Sequence, residues 1–183
     1  MGSHHWGRDD EREALDTYVK LMRAAESVTA LLLPRLAAAG LTMGQFGVLE
    51  ALHHLGPLAQ HELAGKLLRS SGNVSVVIDN LERAGLVQRA RRPEDRREVI
   101  VSLTNAGTAL IGELFPLHAV ALTEAMSALG PSDQRELGRL CRTLGLSARA
   151  RLLALDPEVG RARAPRTRRL PRHEVEAEPR VAI

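Results

Sequence analysis

Apolar positions recur along most of the chain at the spacing of an amphipathic helix. The first such segment covers residues 9–39, where Leu15 and Met22 fall on the same helical face. Pro34 is expected to bend or divide this helix, and Gly40 is expected to end it. The apolar surface of the segment exceeds what one small core can cover, so the pattern indicates a partner helix.

Three short helices are predicted next. Thr42 begins the first as a capping box with Gln45 three positions on, and Gly56 ends it. The second covers residues 60–69, and Gly85 terminates the third. Two short helices joined by a tight turn are the parts of a helix-turn-helix.

The third short helix carries one apolar residue on its polar side. Either Ser70 or Ser71 can cap the helix. Val76 lies about 200° around the helix from Val74 and therefore points away from the buried face. That face is expected to consist of Val74, Val77, Ile78 and Leu81.

The hydrophobic period changes from helical to alternating over residues 86–103. Val99, Val101 and Leu103 alternate on one face of a strand, and a charged turn at residues 92–97 separates it from the preceding strand. The pattern predicts a β-hairpin with a basic tip.

Two further helices follow the hairpin. Thr104 can cap the first, which is expected to kink at Pro116, and Gly130-Pro131 begins the second. The apolar stripe of the last helix is Leu137, Leu140, Cys141 and Leu144. The element order predicts a mainly α (α+β) fold: a winged helix-turn-helix with N- and C-terminal dimerisation helices.

Composition divides the 183-residue chain into one domain with two tails. Residues 149–183 contain nine arginines and five acids, whereas residues 1–148 contain 16 basic and 17 acidic residues. The net charge of +3 therefore resides in a Pro-interrupted tail that we expect to be disordered. We predict three parts. The first is a flexible N-terminus or tag remnant (1–8), and the last is an Arg-rich tail (149–183). Between them lies a winged-helix domain (9–148), which consists of a DNA-binding lobe (42–104) and dimerisation helices (9–39 and 105–148).

Several classes of protein are disfavoured. No apolar run approaches the ~20 residues of a membrane span, and no signal peptide is visible, so we expect a cytoplasmic protein without a membrane partner. Cys141 is the only cysteine and is interpreted as a small buried hydrophobe. The histidines lack metal-ligand spacing, so neither a metal nor a cofactor is predicted. No phosphate loop, nucleophile motif or carboxylate pair supports an enzyme.

The third short helix has the side chains of a DNA recognition helix in its N-terminal half. Asn73 can bind adenine through two hydrogen bonds, and Val76 can contact a thymine methyl group. An exposed valine is also common on surfaces that bind nothing. Asp79 and Glu82 would repel phosphate, and we expect them to face the protein or a basic neighbour. The predicted DNA contacts from this helix are Ser70, Ser71, Gly72, Asn73, Ser75 and Val76.

The hairpin turn is strongly basic. Its arginines are Arg89, Arg91, Arg92, Arg96 and Arg97. An arginine on a projecting loop can enter a narrow minor groove, and Asp95 can pair with a nearby arginine. The bland alternative is a solvated charged turn. We predict DNA contacts from Arg92, Asp95, Arg96 and Arg97.

Several motifs resemble the multiple antibiotic resistance regulator (MarR) family of winged-helix transcription factors. They are "LT" with Gln45, "ELA" at 62–64, "DNLERAGLV" at 79–87, and "DRR" followed by "VSLTNAG". The resemblance covers about residues 15–146. It implies a homodimer on a palindromic double-stranded DNA operator, usually a repressor released by a small phenolic or otherwise apolar effector. Arg97 would be the minor-groove reader, braced by Asp95.

The resemblance also implies an effector pocket between the dimerisation helices and the DNA-binding lobe. Candidate lining residues are Tyr18, Met22, Met43, Phe46, His53 and His118. A rival interpretation of the whole chain is a winged-helix protein-interaction module without specific DNA binding. The basic hairpin tip favours DNA, because a protein-binding wing has no need of Arg96 and Arg97.

Overall fold

The computed structural model describes residues 6–67, 71–92 and 98–155. These ranges contain six helices and three strands. In chain order they are α1 (Asp9–Ala38), α2 (Met43–Leu55), β1 (Leu58–Ala59), α3 (Gln60–Lys66), α4 (Ser71–Arg83), β2 (Val87–Arg91), β3 (Val99–Leu103), α5 (Asn105–Ala125) and α6 (Pro131–Leu155).

Local signals begin and end the first two helices as the sequence predicts. The Thr42 backbone N–H donates to Gln45 Oε1 (2.8 Å), and the Gln45 N–H donates to Thr42 Oγ1 (3.2 Å), which completes the capping box of α2. Gly40 and Gly56 follow α1 and α2 with φ of 70° and 75°. Such left-handed angles favour glycine, and the chain turns by 82° between α1 and α2.

The hairpin forms two strands of a three-stranded antiparallel sheet with the order β1-β3-β2. In the central strand, Val101 pairs with Leu58 on one side and Arg89 on the other. The sequence gives no indication of β1, because two residues are too few to show an alternating pattern. A helix-turn-helix followed by this sheet is the predicted winged-helix architecture.

One core joins α2, α3, α4, the sheet and the first half of α5. Leu36 anchors α1 to the same core. The fully buried larger side chains are Leu36, Phe46, Val48, Leu49, Leu63, Val74, Ile78, Leu81, Val87, Val101 and Ile111. The buried face predicted for α4 is confirmed, with Val77 partly buried beside it.

The long helices at the two ends of the chain are continuous through their prolines. Pro34 does not divide α1, because Leu32 and Leu36 hold the helix in the core on either side of it. Pro116 also lies inside a continuous α5. The last helix extends to Leu155, beyond residue 148, where the sequence placed the end of the helical domain.

The last helix is exposed along its whole length in the single chain. None of the residues that the structure describes in α6 is buried. The interpretation of Cys141 as a buried hydrophobe is therefore wrong for the single chain, since the thiol belongs to a helix that packs on almost nothing. Leu140 and Leu144 of the same stripe are also exposed.

Within the described ranges, α5 is apolar and long enough to cross a membrane, and α1 with α2 passes the same test only as a bent pair. The expectation concerned an uninterrupted apolar run, and α5 contains Glu113 and Glu124, so it passes by average composition and not as such a run. Ile111 and Leu114 of α5 are buried in the core, whereas Leu117 and Val120 are exposed. The apolar composition of α5 therefore has two parts: one apolar face packs in the core, and a second apolar face is exposed in the single chain.

Candidate nucleic-acid interface

The rotation of α4 about its axis is fixed by its buried stripe. Val74, Ile78 and Leu81 have no exposed surface, which directs Val76 outward with 58% of its surface accessible. Gly72 and Asn73 are exposed on the same N-terminal half. The outward direction predicted for Val76 is therefore confirmed, although its contact with DNA stays a prediction.

The C-terminal end of α4 closes tightly onto the hairpin. The Gly85 N–H donates to the Glu82 carbonyl (2.9 Å), and the Leu86 N–H donates to the Leu81 carbonyl (2.9 Å). Gly85 has a φ of 70°, as a helix-ending glycine requires. This turn delivers the chain directly into β2.

Ser75 is engaged within the protein and is half-buried. Gln60 at the start of α3 donates from Nε2 to Ser75 Oγ (2.6 Å). Arg89 Nη2 reaches the Ser75 carbonyl oxygen (3.4 Å). The sequence placed Ser75 among the DNA contacts, but the structure gives it partners on α3 and β2.

Arg89 binds α4 instead of extending from the hairpin tip. Its Nη2 lies 2.6 Å from Asp79 Oδ1, and its Nη1 lies 2.6 Å from Glu82 Oε2. The Arg89 backbone N–H also donates to Glu82 Oε1 (3.2 Å). Grouping Arg89 with the tip arginines was therefore wrong, because alternation along β2 turns it inward with Val87. The expectation that Asp79 and Glu82 face a basic neighbour is confirmed.

Burial and charge act in opposite directions on the Arg89 guanidinium. Partial burial, which leaves 21% of the side chain exposed, lowers its pKa. The hydrogen bonds that Arg89 donates to Glu82 and Asp79, together with the charges of the two carboxylates, more than offset burial, so the pKa is raised above its ordinary value. Arg89 is therefore a permanent cation held between two carboxylates.

The hairpin of β2 and β3 with its connecting turn is the wing of the winged-helix fold. Arg92 pairs with Glu98 at the end of the part of the wing that the structure describes. Arg92 Nη1 lies 2.6 Å from Glu98 Oε2, and the Arg92 N–H donates to the Glu98 carbonyl (3.0 Å). The sequence placed Arg92 among the DNA contacts, and half of its side chain is accessible. Of the other predicted contacts, Ser70, Asp95, Arg96 and Arg97 lie outside the described residues, as does the side chain of Ser71.

The hairpin is joined to α5 through Thr104. Its Oγ1 accepts from the Gly107 N–H (3.0 Å) and donates to the Gly85 carbonyl (2.7 Å). Its own N–H donates to the Leu86 carbonyl (3.1 Å). The helix cap predicted at Thr104 is therefore confirmed, and the same side chain holds the end of α4.

The candidate effector residues are only partly brought together. Phe46 and His118 are buried with ring centroids 4.2 Å apart. Met43 is half-buried beside the core, and His53 is exposed with its ring 6.3 Å from that of Phe115. Sequence reasoning missed Phe115 and His54, whose rings meet edge to face at 4.5 Å. Tyr18 and Met22 are exposed on α1.

No group of three or more His, Cys, Asp or Glu side chains that could hold a metal ion occurs in the part of the chain that the structure describes.

The helix-turn-helix, the three-stranded sheet and the hairpin together define a winged-helix DNA-binding fold. A sequence profile of the MarR family matches residues 41–99. The HTH-type transcriptional regulator YkoM of Bacillus subtilis is 33% identical over 141 residues, which are 77% of this chain and 92% of YkoM. The chain belongs to the MarR family of transcriptional regulators, which are not enzymes.

Two solved structures of DNA-binding proteins share this fold. A cysteine-to-serine mutant of E. coli MarR, complexed with operator DNA, superposes with a TM-score of 0.67 at 25% identity, over 75% of this chain and 99% of that one. BpsR of Bordetella bronchiseptica superposes with a TM-score of 0.65 at 27% identity, over 70% of this chain and 98% of that one. That structure concerns regulation of BpsR DNA binding by 6-hydroxynicotinic acid.

Proposed function

We propose that the chain is a cytoplasmic, sequence-specific regulator that binds a palindromic double-stranded DNA operator as a homodimer. The observation that carries the proposal is the exposed N-terminal half of α4, which the buried stripe holds outward beside the wing. A recognition helix presents this half to base edges in the major groove. The E. coli MarR complex with operator DNA supports the same use of this fold.

The proposed contacts in the major groove follow from side-chain chemistry. Gly72 lets the backbone approach DNA closely, and Asn73 can form two hydrogen bonds with an adenine. The exposed methyl groups of Val76 suit the methyl group of a thymine. Ser70, Ser71 and Ser75 would complete this set through hydroxyl contacts with a base or a phosphate.

The proposed minor-groove contacts come from the wing. Arg97 would be inserted into the groove, where the potential is most negative, and Asp95 would brace it. Arg92 and Arg96 would contact the phosphates on either side. Because Arg92 already pairs with Glu98, its contribution would come mainly from holding the wing.

The proposed homodimer would cover the apolar surface left on the terminal helices. Leu31 of α1, Leu117 of α5, and Leu140 and Leu144 of α6 are each at least half exposed in the single chain. Large apolar side chains left exposed on three helices are typical of a surface that a partner covers. A two-fold dimer would also place two recognition helices on the two halves of a palindrome.

We further propose that the regulator represses and is released by a small apolar or phenolic effector. The adjacent rings of Phe46 and His118, tilted by 37°, would contact such a ring from the core side. Met43 and His53 would lie at the margin, and Tyr18 and Met22 would come from α1. The small-molecule regulation of BpsR supports this class of effector.

A winged-helix module that binds only proteins is the alternative. Selection of bound duplexes from a random-sequence library distinguishes the two functions. A DNA-binding regulator should enrich a two-fold symmetric sequence, whereas a protein-binding module should enrich none. A panel of phenols, quinones and aromatic carboxylates then tests release from the selected duplex.

A further inference from the structure

A polar stripe runs along α4 next to its buried stripe. Ser75, Asp79 and Glu82 are spaced by four and three residues, which puts them on one helical face. Each of the three contacts Arg89: the serine through its carbonyl oxygen, and the two acids through their carboxylates. One side chain of β2 therefore spans two turns of the recognition helix.

Guanidinium geometry makes this contact directional. The planar fork of Arg89 presents separate nitrogens to Asp79 and Glu82, so its orientation is fixed by more than one acceptor. The arginine side chain is 21% exposed, whereas those of Asp79 and Glu82 are 52% and 41% exposed, so the guanidinium is largely covered while its acceptors still face solvent. The contact therefore resists rotation of β2 relative to α4.

The same point on α4 is also held by α3. Gln60 donates to the hydroxyl oxygen of Ser75, one residue from the outward-facing Val76. Ser75 is thus the place where α3, α4 and β2 meet. Its hydroxyl oxygen and its carbonyl oxygen therefore tie the N-terminal half of α4 to both neighbouring elements.

We propose that Arg89 is a positioning residue that fixes the angle between the recognition helix and the wing, so that both can engage one duplex. It does so through Asp79, Glu82 and the Ser75 carbonyl, and it does not bind phosphate itself. The proposal rests on the DNA-binding function proposed above. Its distinctive consequence is that loss of Arg89 lowers discrimination between sequences more than it lowers attraction to DNA in general.

The double variant Asp79→Asn with Glu82→Gln gives the sharpest test, because it removes both carboxylate charges that hold Arg89 and leaves only the weaker acceptors of neutral amides. With the duplex selected by the wild-type protein, affinity should fall roughly tenfold, a loss of the size expected for a base contact that is no longer aligned. With a scrambled duplex of equal length, affinity should stay the same or rise, because less charge opposes phosphate. If both affinities rise together, the acids merely neutralise Arg89 and the proposal is overturned.

Arg89→Ala tests whether the guanidinium contacts phosphate. The slope of log affinity against log salt concentration should match the wild-type slope, whereas loss of a phosphate contact would reduce it by about one. A reduced slope would overturn the proposal.

Arg89→Lys tests the role of the planar guanidinium, because lysine keeps the charge without the fork. This variant should also lose discrimination between sequences, and full wild-type discrimination would contradict the role of the fork. Arg12→Ala, which breaks an exposed pair with Asp9 on α1, is the matched control and should change neither affinity.

A measurement without DNA separates this proposal from the proposed function. Spin labels at Val76→Cys and Ala90→Cys, in a Cys141→Ser background, report the distance between α4 and β2. The distance distribution should broaden in Arg89→Ala or in the double acid variant, whichever folds. An unchanged distribution would overturn the positioning role even if DNA binding is confirmed. The distribution could also broaden in a variant of a protein that selects no duplex. That result would support the positioning role of Arg89 and refute only the DNA-binding function.

Discussion

The first turn of α5 lies directly against the carbonyl oxygen of Leu86, at a distance that only a glycine at position 107 permits. A Cβ on Gly107 would lie 2.0 Å from this oxygen, well inside any van der Waals contact. The same oxygen accepts a hydrogen bond from the Thr104 N–H (3.1 Å). A shift of the Leu86 backbone away from α5 would therefore strain or break this bond. Because Gly107 has no side chain, the first turn of α5 can pack directly against the backbone of the DNA-binding lobe at Leu86.

Gly107→Ala should lower the free energy of unfolding by about 1–3 kcal/mol, as overpacking typically does. Denaturant unfolding measures the change. Gly112→Ala on the same helix is the matched control, since a Cβ there meets nothing within 4 Å. The control should be neutral or stabilising by up to about 1 kcal/mol. Equal effects from both substitutions would contradict the close contact with Leu86.

Thr104→Ala should cost more stability than Thr42→Ala. Both hydroxyls cap a helix, and loss of a cap typically costs about 1 kcal/mol. The Thr104 hydroxyl also donates to the Gly85 carbonyl, and a net hydrogen bond adds about 0.5–1.5 kcal/mol. Thermal unfolding of the two variants side by side tests the difference. An equal loss would mean that the bond to Gly85 contributes nothing.

Val76→Ala should reduce sequence discrimination and leave the fold unchanged, because most of the valine is exposed. A thymine-to-uracil scan of the selected duplex removes one methyl group at a time and supplies the matching half of a double-mutant cycle. One uracil should weaken the wild-type protein and have no effect on the variant. Independent effects at every thymine would exclude a methyl contact by Val76.

Leu144→Glu should dissociate the proposed homodimer. The leucine is 55% exposed in the single chain and belongs to the apolar stripe of α6. A buried, unpaired carboxylate at an interface is strongly unfavourable. Sedimentation equilibrium measures the molecular mass, and Arg142→Glu, on the opposite side of α6, is the control. Dissociation by both substitutions, or by neither, would show that the leucine stripe is not the interface.

Arg97→Ala should reduce the salt slope of binding to the selected duplex by about one, because one cation no longer displaces a counterion. The contrast with Arg89→Ala is informative, since both remove an arginine from the hairpin sequence. Titrations at several salt concentrations measure the two slopes. An Arg97→Ala slope equal to the wild-type slope would rule out a phosphate-neutralising role for Arg97.

Local signals in the sequence were sufficient for much of the fold. Thr42 with Gln45, and Thr104 alone, identify helix starts because a capping hydroxyl acts on residues only three positions away. The period of Val74, Ile78 and Leu81 fixes the buried side of α4 for the same local reason. Val76 could therefore be placed on the outside from sequence alone.

Contacts between elements could not be read in the same way. Arg89 looked like one of several tip arginines, and its place against α4 depends on how the hairpin folds back. Two signals did exist: the four-and-three spacing of Ser75, Asp79 and Glu82, and the alternation that puts Arg89 on the same face of β2 as Val87. The role of Gly107 left no signal, because the clash it avoids is with a residue 21 positions earlier.

The ratio of dissociation constants for the selected duplex and a scrambled duplex, measured at one fixed salt concentration near physiological, tests the central claim most directly. A specific regulator should bind the selected duplex at least about a thousandfold more tightly, which is the lower end of the range for such proteins. Equal affinity for the two duplexes would show that the outward face of α4 does not read DNA sequence.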